Sequence, residues 1–200
     1  MSGKVGFRVL ATSTTLRELV LSALSDLGNM VKHEFASQRT TADQIEHAVR
    51  DALLSADARF KPPIGTRASG DILFDDDVRC HINIKSMDVS KDFHMPNLIS
   101  AANLRKILNR GERFYILRIA HDGGEIKSKD FLDIRDIAWS NLQLAALGAG
   151  QIQIKNGLTP LTPNQGSHED WMAMWRDIMV TFYEKEINKA NKRLAEWQHL

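Results

Sequence analysis

The spacing of apolar and polar positions changes character along the chain. From about residue 12 to 58 it is helical. Leu16, Leu19, Val20, Ala23, Leu24 and Leu27 recur at three- and four-residue intervals, Thr15 and Glu18 stand as a capping box, and Gly28 is a stop. Thr41 with Gln44 predicts a second capping box, opening a helix through about Ala56 whose apolar face is Ile45, Ala48, Val49 and Leu53. Residues 5–11 ahead of these read as a short strand or an extended entry, and Lys61-Pro62-Pro63-Ile64-Gly65 breaks the pattern into a loop.

From Gly70 the period becomes two. Gly70 to Phe74 and Val78 to Lys85 predict the strands of a β-hairpin around the turn Asp75-Asp76-Asp77. Alternation assigns Val78, Cys80, Ile82 and Ile84 to one face and Arg79, His81, Asn83 and Lys85 to the other. A polar stretch, Ser86 to Pro96, follows, then a helix over Leu98 to Leu108. Phe114 to Ala120 reads as a strand, and Asp122-Gly123-Gly124 as a turn into another. The pattern continues with a helix over 134–147, a short strand from Gln151 to Lys155, and a proline-bearing loop from Leu158 to Gly166. A long last helix, capped by Ser167, runs to about Gln198. Strands interleaved with helices predict an α/β fold, a mixed sheet with helices packed on it, and no linker divides the chain.

Two hundred residues suit one such domain. The formal net charge is +1, so no global positive field points to a nucleic-acid partner; one would have to be met by a local groove. The single cysteine, Cys80, excludes an internal disulfide and suits a reducing cytoplasm. No apolar run approaches a membrane span, and the start Met1-Ser2-Gly3-Lys4 lacks the apolar segment of a signal peptide. The expected setting is cytoplasmic, with no membrane partner.

The hairpin carries the candidate chemistry. Phosphodiester hydrolysis needs a nucleophilic water, charge relief at phosphorus and a stabilised leaving oxygen, and Mg²⁺ can supply all three. Mg²⁺ takes hard oxygen ligands and asks for only one or two carboxylates beside the phosphate, and a lysine can orient the water. Asp71 opens the first strand of the hairpin. Asn83 and Lys85 lie two apart on the second, on one face. A single departure stands out: Asn83 occupies the position where an acidic residue is expected.

Taken in order, Asp71-Ile72-Leu73, Asn83-Ile84-Lys85-Ser86, Met95-Pro96-Asn97-Leu98-Ile99-Ser100-Ala101, Gln151-Ile152-Gln153, Asn164-Gln165-Gly166 and Glu169-Asp170-Trp171 resemble the HincII-type restriction endonucleases of the PD-(D/E)xK superfamily. That family has an Asp-Ile-Leu strand, an Asp-x-Lys strand at nearly the same gap, a Pro-Asn-Ile-Ile-Ser-Ala stretch, a Gln-Ile-Gln strand, and a Gly-containing loop leading into Glu-Glu-Trp. The resemblance covers about residue 68 to the C-terminus, roughly two thirds of the chain; the first 60 residues share only helical character.

The resemblance implies a single restriction-endonuclease-like domain of EcoRV/HincII type, with a helical N-terminal part at about 12–58 and a catalytic core at about 66–200. It implies a homodimer that cuts a short palindrome in double-stranded DNA with Mg²⁺. Asp71 becomes the principal metal ligand, Lys85 the catalytic lysine and Asn83 the second ligand position. Glu46 is a candidate acidic group on an early helix, with a solvated helix carboxylate as its alternative. Asn97, His94, Phe93, Ser90 and Lys91 fall in the expected DNA-recognition segment, and Gln151 and Gln153 on a strand at the DNA floor. Asn83 offers an amide oxygen but no charge. Three readings of it stand: an engineered inactive variant, a natural variant with a relocated carboxylate, or a degenerate relative that only binds DNA. A repair-type nuclease of the same superfamily is a further alternative, and native mass separates a monomeric nickase from a dimer.

Other residues carry weaker signals. Phe93 is a candidate base wedge or a tucked loop aromatic. His81 is a candidate base, or more simply a hydrogen-bonding spacer. Arg59, Lys61 and Arg67 are candidate phosphate contacts or ordinary loop cations. Trp171, Trp175, Ile178, Phe182 and Ile187 form one stripe of the last helix, expected in the core or at a dimer contact. Lys185, Lys189, Lys192 and Arg193 give that helix a basic flank, and Cys80 is expected to be an inert core residue.

Overall fold

The computed structural model describes residues 7–25, 27, 38–64, 69–145 and 150–198, with side chains from Leu16 onward apart from those of 38–40. Its centre is strand β5 (Arg113–Asp122), which is apolar on both faces. Tyr115, Leu117 and Ile119 face one core and Phe114 and Ile116 the other. A strand buried on both sides reads as a continuous apolar run, which Phe114 to Ala120 supplies. β5 pairs in parallel with β3 (Cys80–Asp88) and antiparallel with β6 (Glu125–Asp133). β2 (Ile72–Phe74) and β1 (Phe60–Lys61) extend the sheet beyond β3, both antiparallel, giving the order β1-β2-β3-β5-β6. The chain is therefore α/β, with a mixed central sheet flanked by helices.

Two helices cover one face, α1 (Phe7–Ser25) and α2 (Gln38–Ala56). Leu16, Val20 and Leu24 from α1 and Ile45, Val49 and Leu53 from α2 meet Ile72, Ile82, Ile84 and Leu117. On the opposite face lie α3 (Ala101–Asn109), the start of α4 (His168–Gln198), and a small antiparallel sheet. That sheet has the order β4 (Asn97–Ser100), β8 (Gln151–Ile154), β7 (Leu142–Ala145). Trp171 anchors this second core: it stacks on Trp139 at 4.9 Å between ring centroids, and its indole N–H donates to the Ile137 carbonyl at 2.8 Å.

Several expectations are corrected. Residues 7–11 are the first turns of α1 rather than a strand; residues 5 and 6 and Gly28 lie outside the described residues. Both early capping boxes fall inside helices that begin upstream of them, at Phe7 and Gln38; Thr41 is buried within α2. The hairpin's return strand continues to Asp88, since pairing with β5 carries it past the polar residues. Asn97–Ser100 is a strand, and the helix starts only after Ser100, whose hydroxyl accepts from the Asn103 N–H. The segment expected as a helix over 134–147 is two short 3-10 turns and strand β7. The Asp133 carboxylate accepts from the Arg135 N–H and guanidinium, which turns the chain there instead of starting an α-helix. The Ser167 cap holds: its hydroxyl accepts from the Asp170 N–H while the Asp170 carboxylate accepts from the Ser167 N–H.

Leu117 is fully buried in the central strand. Leu117→Ala should lower the unfolding free energy by about 2–5 kcal/mol, the range for a core Leu truncation, as read from urea denaturation; a change under about 1 kcal/mol would mean that β5 is not the packed centre described here.

Candidate active site

The hairpin ends short of β3. Ladder pairing with β2 runs from Phe74↔Cys80 to Ile72↔Ile82, and the Asp71 N–H adds one more bond to the Ile82 carbonyl at 2.8 Å. Beyond Ile82 the opposite edge of β3 stays paired with β5, but among the described residues the β2 side has no strand beside it. Its N–H groups still need acceptors. Two carboxylates provide them. The Ile84 N–H donates to Asp71 Oδ2 at 2.7 Å, and the Ser86 N–H donates to Glu46 Oε1 at 3.1 Å. Gly70 makes the Asp71 position possible, since a Cβ at Gly70 would stand 3.0 Å from the Ile82 carbonyl oxygen.

Glu46 reaches this edge from α2, and the contact is doubled by the Ser86 hydroxyl, which lies 3.3 Å from Glu46 Oε1 and 3.1 Å from the Ala42 carbonyl. Burial pushes the Glu46 carboxyl above its ordinary range. The Ser86 N–H and the Lys85 charge pull it down, and the Asp71 charge pushes it up again. Glu46, Asp71 and Lys85 thus share one electrostatic neighbourhood, although 39 positions separate the first from the last.

Asn83 completes the group. It is 7% exposed, and its Nδ2 donates to Asp71 Oδ2 at 3.1 Å. Its Oδ1 is buried with no hydrogen-bond partner. A buried amide oxygen without a donor is costly and marks a site that wants a cation or a donor. Asp71 Oδ1 and Glu46 Oε2 likewise accept no hydrogen bond among the described residues. Three hard oxygens are available, two anionic and one neutral, and they suit Mg²⁺ in kind. Among the described residues no cluster of three His, Cys, Asp or Glu side chains is poised to hold a metal; the group here is two carboxylates and an amide.

The segment after β3 folds back beside this group. The His94 ring senses both Asp88 and Lys85, and burial lowers its pKa. The His94 carbonyl accepts from the Gly157 N–H at 2.6 Å, and a Cβ at Gly157 would stand 2.5 Å from the Met87 sulfur, so a side chain there would displace Met87. Ser90 and Lys91 form a turn over Asp88, whose carboxylate accepts from the Ser90 N–H and hydroxyl. Phe93 is 58% exposed, which removes the tucked-aromatic reading. On the small sheet Asn97, Gln153 and Gln143 form a row of linked amides. Gln153 Nε2 donates to Asn97 Oδ1, and Gln143 Nε2 donates to Gln153 Oε1 at 3.0 Å. Gln151 is half-buried one alternation along β8, in register with Ser100. Gln143 was missed in the sequence because the 134–147 stretch reads as helix; its strand-like neighbours Leu142 and Leu144 were the available signal.

Several other candidates have protein partners. His81 Nε2 meets Glu112 Oε2 at 2.7 Å and so is a spacer tied to the loop before β5. Arg59 is held by Asp57 and Asp76 and lies over the Phe74 ring, and Lys61 pairs with Asp75. Arg67 lies outside the described residues. Burial pushes the Cys80 thiol up to about 12, so it is inert.

No protein-family model matches this sequence, and comparison with curated proteins finds no match either.

A carboxyl whose pKa is raised on folding costs stability once it ionises. Its contribution is intact below the unfolded value, near 4.5, and is lost as pH rises through the folded value above it. Glu46→Gln keeps an oxygen acceptor for Ser86 and removes the ionisation. The variant should therefore show a smaller fall in stability between about pH 4 and pH 7 than the parent, measured by urea unfolding at both. An equal or steeper fall would show that Glu46 ionises without cost.

Proposed function

We propose that this chain is a Mg²⁺-dependent endonuclease of the type II restriction kind, hydrolysing phosphodiester bonds in double-stranded DNA at a short palindromic site. The reading is supported above all by one observation: Glu46, Asp71, Asn83 and Lys85, from three separate segments, converge on the unpaired edge of β3. The ordered motifs of the sequence point the same way.

In this reading Asp71, Glu46 and Asn83 would hold Mg²⁺, which would supply charge relief on the phosphate and a more acidic water. The protein's own groups do the rest. Asp71 and Glu46 are each fixed by a backbone N–H, so their remaining oxygens are held in place without rotamer loss. Lys85 puts a cation beside the two carboxylates, where it can orient the attacking water and balance the charge building on phosphorus. Water adds to phosphorus as the bond to the 3′-oxygen breaks, leaving a 5′-phosphate and a 3′-hydroxyl. His94, whose ring senses Lys85, Phe93 beside it in the chain, and the Asn97–Gln153–Gln143 row are the candidate base-reading groups, since amide side chains offer a donor and an acceptor together. Glu46 is the candidate relocated carboxylate that offsets Asn83.

A second reading has a specific observation behind it. Both carboxylates already serve as acceptors for β3, and Asn83 is neutral, so a chain with this fold that only binds DNA would keep the same contacts. Asn83→Asp separates the two. In the nuclease reading it restores about 3 kcal/mol of charge stabilisation, so Mg²⁺-dependent plasmid cleavage at discrete sites should rise about 100-fold, and Lys85→Ala in that background should abolish it. Asn83→Asp also sets a carboxylate against Asp71 Oδ2, so its unfolding temperature should fall without metal and recover with Mg²⁺. Duplex binding with no cleavage by either chain, in Mg²⁺ or Mn²⁺, would leave the binding-only reading standing.

A further inference from the structure

The last helix outruns the body it packs on. Trp171 and Trp175 are buried in the second core, and Ile178 and Phe182 are half-buried. From Ile187 to Gln198 every residue is exposed, a projection of roughly 18 Å. A helical segment with no tertiary support is marginal in water, and this one is not uniformly polar. Val180, Tyr183, Ile187, Ala190, Leu194 and Trp197 follow one another at alternating three- and four-residue steps. That is the a/d seam of a two-stranded coiled coil. Ile187 is 58% exposed and Trp197 75%. The stripe expected in the sequence therefore splits: its first half enters the core, and a second, rotated seam begins where the first ends.

We propose that this seam is a homodimer interface, in which α4 pairs with α4 of a second copy in antiparallel orientation about a twofold between Ile187 and Ala190. Charge and size select this register. It sets Glu186 opposite the partner's Arg193, and Arg193 opposite the partner's Glu186, so one twofold makes two ion pairs at the flanking positions. Glu186 pairs with Lys189 on its own helix, at an exposed position that a second cation can share. The layers match small with large, Ile187 on Ala190 and Val180 on Trp197. Beside Val180 lies a groove of about 450 Å³ between α3 and α4, lined by Ala101, Ala102, Arg105, Met179 and Tyr183, into which the partner's Trp197 would project. Parallel pairing would instead stack Ala190 on Ala190 and leave a void. It would also set Glu186 and Arg193 beside uncharged Asn191 and Gln198, and crowd both bodies at one end of the coil. The antiparallel arrangement puts the bodies at opposite ends.

The interface rests on α4 alone and not on the nuclease reading, so a failure of either leaves the other standing. Sedimentation of the full chain from about 1 to 100 μM measures it directly and reads no cleavage. The parent should be a dimer in that range. Leu194→Glu, at an exposed position that leaves the body intact by circular dichroism, should weaken the dimer about 30-fold or more. Glu186→Arg and Arg193→Glu should each weaken it roughly tenfold, and the double reversal should restore it. A parent that is monomeric throughout, or a dimer indifferent to Leu194→Glu, overturns the interface. Reversals that have no effect, singly or together, overturn the antiparallel register.

Discussion

A strand that outruns its neighbour must still find partners for its N–H groups. β2 is only three residues long, while β3 runs nine. β3 keeps its other edge paired with β5 over its full length, so it cannot fray away from the problem. The structure answers with two carboxylates in succession, Asp71 on the Ile84 N–H and Glu46 on the Ser86 N–H. This holds α2 against the sheet and fixes two acidic groups side by side at the end of the hairpin. Everything proposed about chemistry follows from that edge. Carboxylates held close together repel, and burial raises the cost of ionising Glu46. Lys85 and the backbone donors offset part of it. A bound cation would offset more, and an uncharged Asn83 asks for less of one than an aspartate would.

The double-sided burial of β5 is what allows β3 to outrun its β2 partner. With Tyr115, Leu117 and Ile119 in one core and Phe114 and Ile116 in the other, the sheet is fixed by its centre and does not depend on the short strands β1 and β2. The second core also carries the small sheet, which brings Asn97, Gln153 and Gln143 into one row and, through the Gly157 contact, draws the chain after β3 back toward Lys85. The same core binds only the first turns of α4 and leaves its far end without cover. A helix this long is an economical way to carry an interface, since its first half is already paid for by Trp171 and Trp175.

The sequence by itself determined the elements whose signals are local. The hairpin, its alternating faces, the Asp122-Gly123-Gly124 turn, the β8 strand and the Ser167 cap all follow from period-two spacing, glycine or a hydroxyl at the right place, and each depends on residues within a few positions of one another. Asp71, Asn83 and Lys85 were legible together because a hairpin converts short sequence separation into proximity. The tertiary structure alone decided that Glu46 joins them, since nothing local brings an α2 carboxylate to Ser86 forty residues on. It also decided that Asn97–Ser100 and Leu142–Ala145 are strands. Their residues suit a helix or a strand, and only the neighbouring β8 ladder chooses between the two, because a strand's hydrogen bonds are made with other parts of the chain whereas a helix makes its own.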